Sequence, residues 1–227
     1  MSEPIPPNLK ARMKASYDAI AEDYNTEFYK IADTLRIDYL GRLVALLQSN
    51  GNDTAAVLEL GCGAGVPATK YLLEQEKPVF TLTGNDISTT QLNLARSNLA
   101  QYHDRLTLLE GDMLALSFPA ANFDAVTGFY SIIHLPREEQ IQLMSKIVEW
   151  IKPGGYFLAN FLIEDMSTLE EDKWLGHEKG WMFWSGWGEK MSVEMVENVG
   201  FTVLLKEVRQ AVDDATFVWV LARKGES

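Results

Sequence analysis

The spacing of the hydrophobic positions changes near residue 50. Before that point, apolar side chains recur three or four positions apart. Examples are Leu35, Tyr39, Leu43 and Leu46. This spacing predicts two helices over residues 8–48, with a break near residues 24–27. Beyond residue 50, short apolar runs alternate with helical stretches. That alternation is typical of an α/β fold with a largely parallel sheet.

Seven strands are predicted. The first five cover residues 55–60, 79–84, 106–109, 123–129 and 156–162. Among the helices between them, one opens near Ser88 and another covers residues 137–151, where the Pro-Gly-Gly of residues 153–155 stops it. After a helix over residues 189–198 come strands 201–208 and 216–222, whose link is too short for a crossover helix. We therefore expect these two strands to pair antiparallel at one edge of the sheet.

Composition and charge narrow the class of protein. The 227 residues are 47% hydrophobic and carry a net charge of −12, with one cysteine, Cys62. That length and composition fit a single folded domain, and one cysteine allows no internal disulfide. With one cysteine and no apolar stretch at the start of the sequence, we expect a cytoplasmic protein. No apolar run approaches a membrane span, so we expect no contact with a membrane. Its acidity disfavours nucleic acid as a partner. We expect a monomer or a homodimer.

A glycine-rich turn follows the first strand directly. Gly61, Gly63 and Gly65 let the chain turn sharply and let a ligand approach the backbone. A dinucleotide fingerprint would need a glycine where Val66 stands, and the acidic Glu59 before the turn argues for a ligand without phosphates.

An acid at the end of the second strand strengthens this interpretation. A carboxylate at Asp86 suits two ribose hydroxyls, which would donate hydrogen bonds to it. Strand, glycine turn, helix, strand and acid together predict a nucleoside site.

Over nearly its whole length the chain resembles the class I S-adenosylmethionine-dependent methyltransferases. The matching segments are ELGCGAG at 59–65, GNDIS at 84–88, EGDM at 110–113, FDAV and FYSIIHLP at 123–126 and 129–136, IKPGG at 151–155 and YDAIAEDY at 17–24. The resemblance implies a Rossmann-like, mostly parallel sheet of seven strands with an antiparallel edge strand. It also implies an N-terminal helical cap over the cofactor, which we place at residues 1–50 of the single domain.

The same resemblance implies that S-adenosylmethionine is the cofactor. Glu59 would bind its amino-acid end, Asp86 its ribose and Asp112 its adenine. The full set of cofactor-binding residues that it implies is Tyr24, Glu59, Gly61, Cys62, Gly63, Gly65, Asp86, Ile87, Gln91, Asp112, Met113 and Phe129. Thr127 and its neighbours stand where the family's magnesium-dependent branch has an aspartate, so we expect no metal.

The acceptor is predicted to bind near His134 and a tryptophan-rich segment. His134 follows the fourth strand and is the candidate general base, although a structural role as the cap of the next helix is equally open. Residues 174–187 hold four of the six tryptophans, which indicates either a minicore under a loop or a substrate lid over residues 163–188. The candidate substrate residues are Tyr17, Tyr130, His177, Trp181, Trp184 and Trp187.

These features predict an enzyme that methylates a small, fairly apolar acceptor, with O-methylation of a metabolite favoured. N- or S-methylation of a small molecule stays open. So does an S-adenosylmethionine-binding cyclase or isomerase that transfers no methyl group, since the cofactor's positive charge alone can assist such a reaction.

Overall fold

A computed structural model describes residues 5–30, 34–211 and 215–226, except for the side chains of residues 27–30. The two predicted N-terminal helices are confirmed as α1 (Leu9–Lys30) and α2 (Thr34–Ser49). The predicted break at residues 24–27 was wrong, because α1 continues through them. Those residues include no glycine or proline, and the ring of Tyr24 packs edge-on against Tyr17 two turns earlier, with centroids 5.6 Å apart.

The main sheet has seven strands, which lie side by side in the order third, second, first, fourth, fifth, ninth and eighth along the chain. Its first part runs β1 (Thr54–Leu60), α3 (Ala68–Leu73), β2 (Val79–Asp86), α4 (Thr89–Asn98), β3 (Leu106–Glu110), β4 (Phe123–Gly128), α5 (Arg137–Trp150) and β5 (Ile151–Leu162). These five strands are parallel. Their carboxyl ends therefore meet at one edge of the sheet, where such folds bind ligands.

The C-terminal part confirms the predicted fold class. α6 (Gly188–Asn198) leads into β8 (Phe201–Gln210) and β9 (Thr216–Lys224), which pair antiparallel with each other at one side of the sheet. β9 also pairs antiparallel with β5. The strand that runs against the others is thus the last in the chain, one place in from the edge strand β8.

Two stretches differ from the sequence prediction. β5 begins at Ile151 rather than residue 156, because a register shift against β4 lets the strand pass through the predicted stop, with Gly154 at a φ of 75°. The tryptophan-rich segment, for which no strands were predicted, forms a separate two-stranded antiparallel sheet of β6 (Asp165–Glu171) and β7 (Met182–Trp187). We call β6 and β7 the hairpin.

Helices cover both faces of the sheet, and a third apolar cluster lies above its carboxyl edge. α2 packs on one face, where Tyr39 stacks on Trp219 with ring centroids 4.3 Å apart, and α5 and α6 pack on the other. The third cluster joins α1 to β7 through residues such as Met13, Ile20 and Phe183. In the described ranges, no helix combines the length and the apolar character needed to cross a membrane.

Candidate active site

The three glycines of the turn after β1 have different surroundings. All have positive φ, which favours glycine. A Cβ on Gly61 would collide with Ser131, and one on Gly65 with Leu99 of the turn after α4, whereas a Cβ on Gly63 would meet only the Gln91 Oε1 atom at 3.8 Å. Close packing explains why a side chain is not tolerated at Gly61 and Gly65. At Gly63 the space beside the backbone is open, so a ligand can approach it.

Asp86 ends β2 beside this turn. One carboxylate oxygen accepts a hydrogen bond from the Gly63 amide at 2.8 Å and the other from the Ser88 amide at 2.9 Å. Burial raises the pKa of Asp86 to about 6, against the lowering effect of those amides. The carboxylate is fixed in place at the wall of a cavity.

Glu59 lies behind the turn. Its side chain is buried and accepts a hydrogen bond from the Thr69 hydroxyl of α3 at 2.5 Å. Burial raises the pKa of Glu59 to about 7. Glu59 thus has a partner in α3, and it lines neither of the two cavities that touch the glycine turn.

Most of the predicted cofactor residues surround one cavity, which we call the first cavity. Those that line it are Tyr24, Gly61, Gly63, Asp86, Ile87, Gln91, Asp112, Met113 and Phe129. Cys62 lines a neighbouring cavity behind the turn, and Gly65 lines none of the three. The candidate residues Tyr17, Tyr130 and His134 also line the first cavity.

Asp112 is already engaged by protein groups. One of its oxygens accepts from the Leu114 amide at 3.0 Å, and the other pairs with the Lys10 ammonium at 2.5 Å. Lys10 also pairs with Glu139 at 2.7 Å and lines the first cavity. No local pattern in the sequence pointed to Lys10, because its partner Asp112 is 102 positions away.

Helix α1 closes over the first cavity through polar contacts with the loops below it. Asp18 accepts from the Ser88 hydroxyl at 2.7 Å and the Thr90 amide at 3.0 Å. One turn away, Lys14 pairs with Glu110 at 3.1 Å. These contacts hold α1 over the carboxyl edge of the sheet, whereas α2, which the predicted cap also included, packs on one face of the sheet.

Tyr17 and His134 form a hydrogen-bonded pair between α1 and the turn after β4. His134 Nδ1 lies 2.7 Å from the Phe183 carbonyl, which only accepts, so Nδ1 carries the proton. His134 Nε2 then accepts from the Tyr17 hydroxyl, 2.9 Å away. Burial lowers the pKa of His134 to about 4 and raises that of Tyr17 well above its usual value. At neutral pH the imidazole is uncharged and the phenol protonated.

A second cavity of about 510 Å³ lies beyond this pair. It shares four residues with the first cavity: Tyr17, Tyr24, Tyr130 and His134. Its other walls come from the hairpin and from the β8–β9 region, including Trp174, Trp184 and Phe217. The Tyr17/His134 pair therefore stands where the two cavities meet.

Three candidate substrate residues lie elsewhere. Trp181 packs under the Arg12 guanidinium, 3.6 Å from the ring centroid, in the cluster between α1 and β7. Trp187 donates to the Arg137 carbonyl at 3.4 Å, and His177 pairs with Asp23 at 3.3 Å. None of the three lines the first or second cavity. Trp181 therefore belongs to a small apolar core under the segment. Trp184 lines the second cavity, as expected of a residue in a substrate lid.

Sequence reasoning missed most of the second cavity's lining, and two of the missed residues contact predicted ones. Trp174 packs against the rings of Tyr17, Tyr24 and Trp184. Arg36 also lines the neighbouring cavity behind the glycine turn, with its guanidinium 5.1 Å from the Tyr130 ring. The cluster of tryptophans was a signal for Trp174, and nothing in the motif pattern pointed to Arg36. Within the described residues, no group of three or more His, Cys, Asp or Glu side chains could hold a metal ion.

Tyr130 is held at the junction by a buried asparagine. Its φ is 54°, which is uncommon for a residue with a Cβ, and its amide donates to Asn160 Oδ1 at 2.7 Å. Asn160 is wholly buried in β5. The strand under the site therefore fixes a ring that lines both cavities.

We expect Asn160→Leu to lower the free energy of unfolding by about 1 kcal/mol, because the partly buried amide of Tyr130 would lose its acceptor. Urea denaturation would measure the change. Asn93→Leu, at an exposed position of α4, is the matched control and should stay within about 0.5 kcal/mol of the wild type. Equal midpoints for both variants would contradict the role of Asn160.

Comparison with known proteins agrees with this geometry. A family model described as "Methyltransferase domain" matches residues 57–155, which run from β1 into β5. Sterol 24-C-methyltransferase of Yarrowia lipolytica is 29% identical over 175 residues, which cover 75% of this chain and 45% of that protein. The chain belongs to the class I S-adenosylmethionine-dependent methyltransferases. It spans less than half the length of the curated relatives that it matches first.

Solved structures share the fold over nearly the whole chain. The [4+2]-cyclase SpnF superposes with a TM-score of 0.75 at 16% identity, covering 99% of this chain and 98% of its own. The 1,6-didemethyltoxoflavin-N1-methyltransferase of Burkholderia thailandensis, solved with its substrate and S-adenosylhomocysteine, has a TM-score of 0.72 at 17% identity, covering 99% and 93%. At these identities the likeness supports the fold, and the chemistry has to be argued from the site.

Proposed function

We propose that this chain transfers the methyl group of S-adenosylmethionine to an oxygen atom of a small, fairly apolar acceptor. The observation that carries the proposal is that two cavities meet at the Tyr17/His134 pair: the first presents Asp86, Asn85 and Gln91, and the second is lined mostly by aliphatic and aromatic side chains. The first cavity suits the cofactor and the second suits the acceptor. The methyl group and the acceptor atom would meet at the junction of the two cavities.

The residues of the first cavity fit the cofactor. The Nε2 atom of Gln91 and the Oδ1 atom of Asn85 are buried at this cavity without a hydrogen-bond partner among the described residues. A buried donor and a buried acceptor without partners are unfavourable unless a ligand satisfies them. Asp86 adds a carboxylate for the ribose hydroxyls, and the open side of Gly63 leaves space beside the backbone. The sulfonium of the bound cofactor supplies an electrophilic methyl group.

The chain's own residues would position the acceptor and take its proton. Its hydroxyl would replace the Tyr17 hydroxyl at His134 Nε2, or pass its proton through that hydroxyl. The low pKa of His134 keeps Nε2 unprotonated at neutral pH, while the Phe183 carbonyl fixes the ring orientation. α1 and the hairpin exclude water from the junction.

The walls of the second cavity favour an apolar body for the acceptor. Apart from Arg36, Thr216 and two glutamates, its lining consists of apolar and aromatic residues and His134. O-methylation is favoured because a hydroxyl must lose a proton and an uncharged imidazole nitrogen lies at the junction. Amine and thiol acceptors need less help from a base. The name of the sterol 24-C-methyltransferase mentioned above specifies a carbon atom as the methyl acceptor. The acceptor atom of this chain therefore has to be tested directly.

The decisive experiment measures cofactor binding and methyl transfer together. Calorimetry with S-adenosylmethionine and S-adenosylhomocysteine should show saturable 1:1 binding. Incubation with methyl-labelled S-adenosylmethionine and a panel of phenols, carboxylates, amines and thiols should release S-adenosylhomocysteine, with the label on an oxygen acceptor. Binding without transfer to any acceptor would favour the cyclase or isomerase alternative, and no binding would refute the proposal.

A further inference from the structure

Aromatic rings surround the second cavity in contact with one another. Trp174 lies edge-on to Tyr17 and Trp184, with centroids 6.2 and 5.8 Å away, and Tyr24 packs on it at 5.7 Å. On another wall, Tyr130 and Phe217 pack edge to face at 5.0 Å. Rings on several sides of one cavity offer faces to a flat apolar group and to a cation.

Two carboxylates line the same cavity. Glu164 precedes β6 and Glu171 ends it. The acids next to them are engaged, since Asp165 pairs with Arg137 and Glu170 accepts from Trp181 Nε1 at 3.1 Å. The side chains of Glu164 and Glu171, both exposed, have neither an ion pair nor a hydrogen bond to another described residue. Their charge is therefore available to a ligand in the cavity.

The position of these acids separates them from the reacting atoms. Neither glutamate lines the first cavity, whereas Tyr17 and His134 line both. A group held by Glu164 or Glu171 thus lies on the side of the acceptor that faces away from the cofactor. Arg36, the cation in the lining, already lies against the rings of Tyr130 and Phe129.

We propose that the acceptor carries a protonated amino group, remote from the methylated atom, which either Glu164 or Glu171 binds together with the aromatic walls of the second cavity. The proposal rests on the proposed function, because it names the class of acceptor for the same site. A neutral apolar acceptor would gain nothing from two carboxylates in its cavity. A cation gains from the carboxylate that it contacts and from the ring faces.

Three ligands that share a phenyl ring and a short alkyl chain but differ in their polar end group test this inference. After saturation of the protein with S-adenosylhomocysteine, calorimetry would compare 4-phenylbutylamine, 4-phenylbutanol and 4-phenylbutyrate. We expect the amine to bind about tenfold more tightly than the alcohol, and the carboxylate to bind most weakly. Added salt should reduce the advantage of the amine.

Substitutions at the two glutamates test whether they cause the preference for the amine over the alcohol. The double variant Glu164→Gln, Glu171→Gln should lose about tenfold in affinity for the amine and keep its affinity for the alcohol. Asp172→Asn is the matched control, because it removes the same charge from an exposed position next to Glu171 that does not line the cavity. It should change neither affinity.

The outcomes separate this inference from the proposed function. If the alcohol binds as tightly as the amine, if the double variant affects all probes equally, or if no probe binds at millimolar concentration, the amine inference is overturned while cofactor binding stands. If S-adenosylhomocysteine does not bind, the proposed function fails, and the same titrations without it still compare amine with alcohol.

Discussion

Asp86→Ala is expected to weaken the binding of S-adenosylhomocysteine by roughly a hundredfold or more. The carboxylate would accept hydrogen bonds from two ribose hydroxyls, and each hydrogen bond to a charged group contributes about 1.5–3 kcal/mol. The Gly63 and Ser88 amides hold the carboxylate at the cavity wall, so it needs no rearrangement to bind. Calorimetry at pH 7.5 would measure the dissociation constant.

The control for this prediction is Asp104→Ala, which removes an exposed acid that pairs only with the side chain of His103 among the described residues. Its affinity for S-adenosylhomocysteine should equal that of the wild type. Asp86→Asn keeps an acceptor oxygen for the backbone amides, so it separates loss of the ribose contact from distortion of the turn. A dissociation constant within threefold of the wild type for Asp86→Ala would refute the ribose assignment.

The pKa of Asp86 adds a dependence on pH. Burial raises this pKa from its ordinary value to about 6, so the folded protein holds the proton more tightly than the unfolded chain. The contribution of this group to stability is present at low pH and is lost as pH rises through 6. Cofactor affinity should change in the opposite direction over the same window, because the ionised carboxylate accepts from both hydroxyls.

The fold followed from the sequence more completely than the site did. Alternating apolar runs and helical stretches are local signals, and they located the strands of the main sheet and the antiparallel pair near its edge. The start of β5 was missed because a Pro-Gly-Gly run ordinarily stops an element, and the register shift that accommodates it depends on pairing with β4. The hairpin was missed because an aromatic-rich apolar run does not distinguish a strand from a loop.

Site residues were predictable where they sit at the ends of strands. Asp86 and Gly63 follow from a motif of fixed spacing, and both line the first cavity. Lys10, Arg36 and Asn160 come to the site through contacts between distant parts of the chain, for which the sequence has no local signal. Contacts between distant parts of the chain also place Trp181 in a cluster with α1, away from both cavities.

Removing the Tyr17/His134 pair is the second prediction with a large expected effect. His134→Phe should lower kcat with the preferred oxygen acceptor by about a hundredfold, because the acceptor hydroxyl would lose the nitrogen that takes its proton. Tyr17→Phe removes only the hydroxyl that binds that nitrogen. If the two residues act as a unit, the double variant should be no slower than His134→Phe alone. Single-turnover rates of methyl transfer would measure all three variants.

Cofactor affinity should stay within a fewfold of the wild type in these variants, because Asp86, Gly63 and Gln91 remain in place. His103→Ala is the matched control, since it removes an exposed histidine far from the junction in sequence, and its kcat should not change. The pH profile gives an independent check. Burial lowers the pKa of His134 to about 4, so its ionisation should produce no inflection in kcat between pH 5.5 and 8. Equal rates for wild type and His134→Phe on every acceptor would remove the imidazole from the mechanism and leave it the structural role of joining α1 to β7.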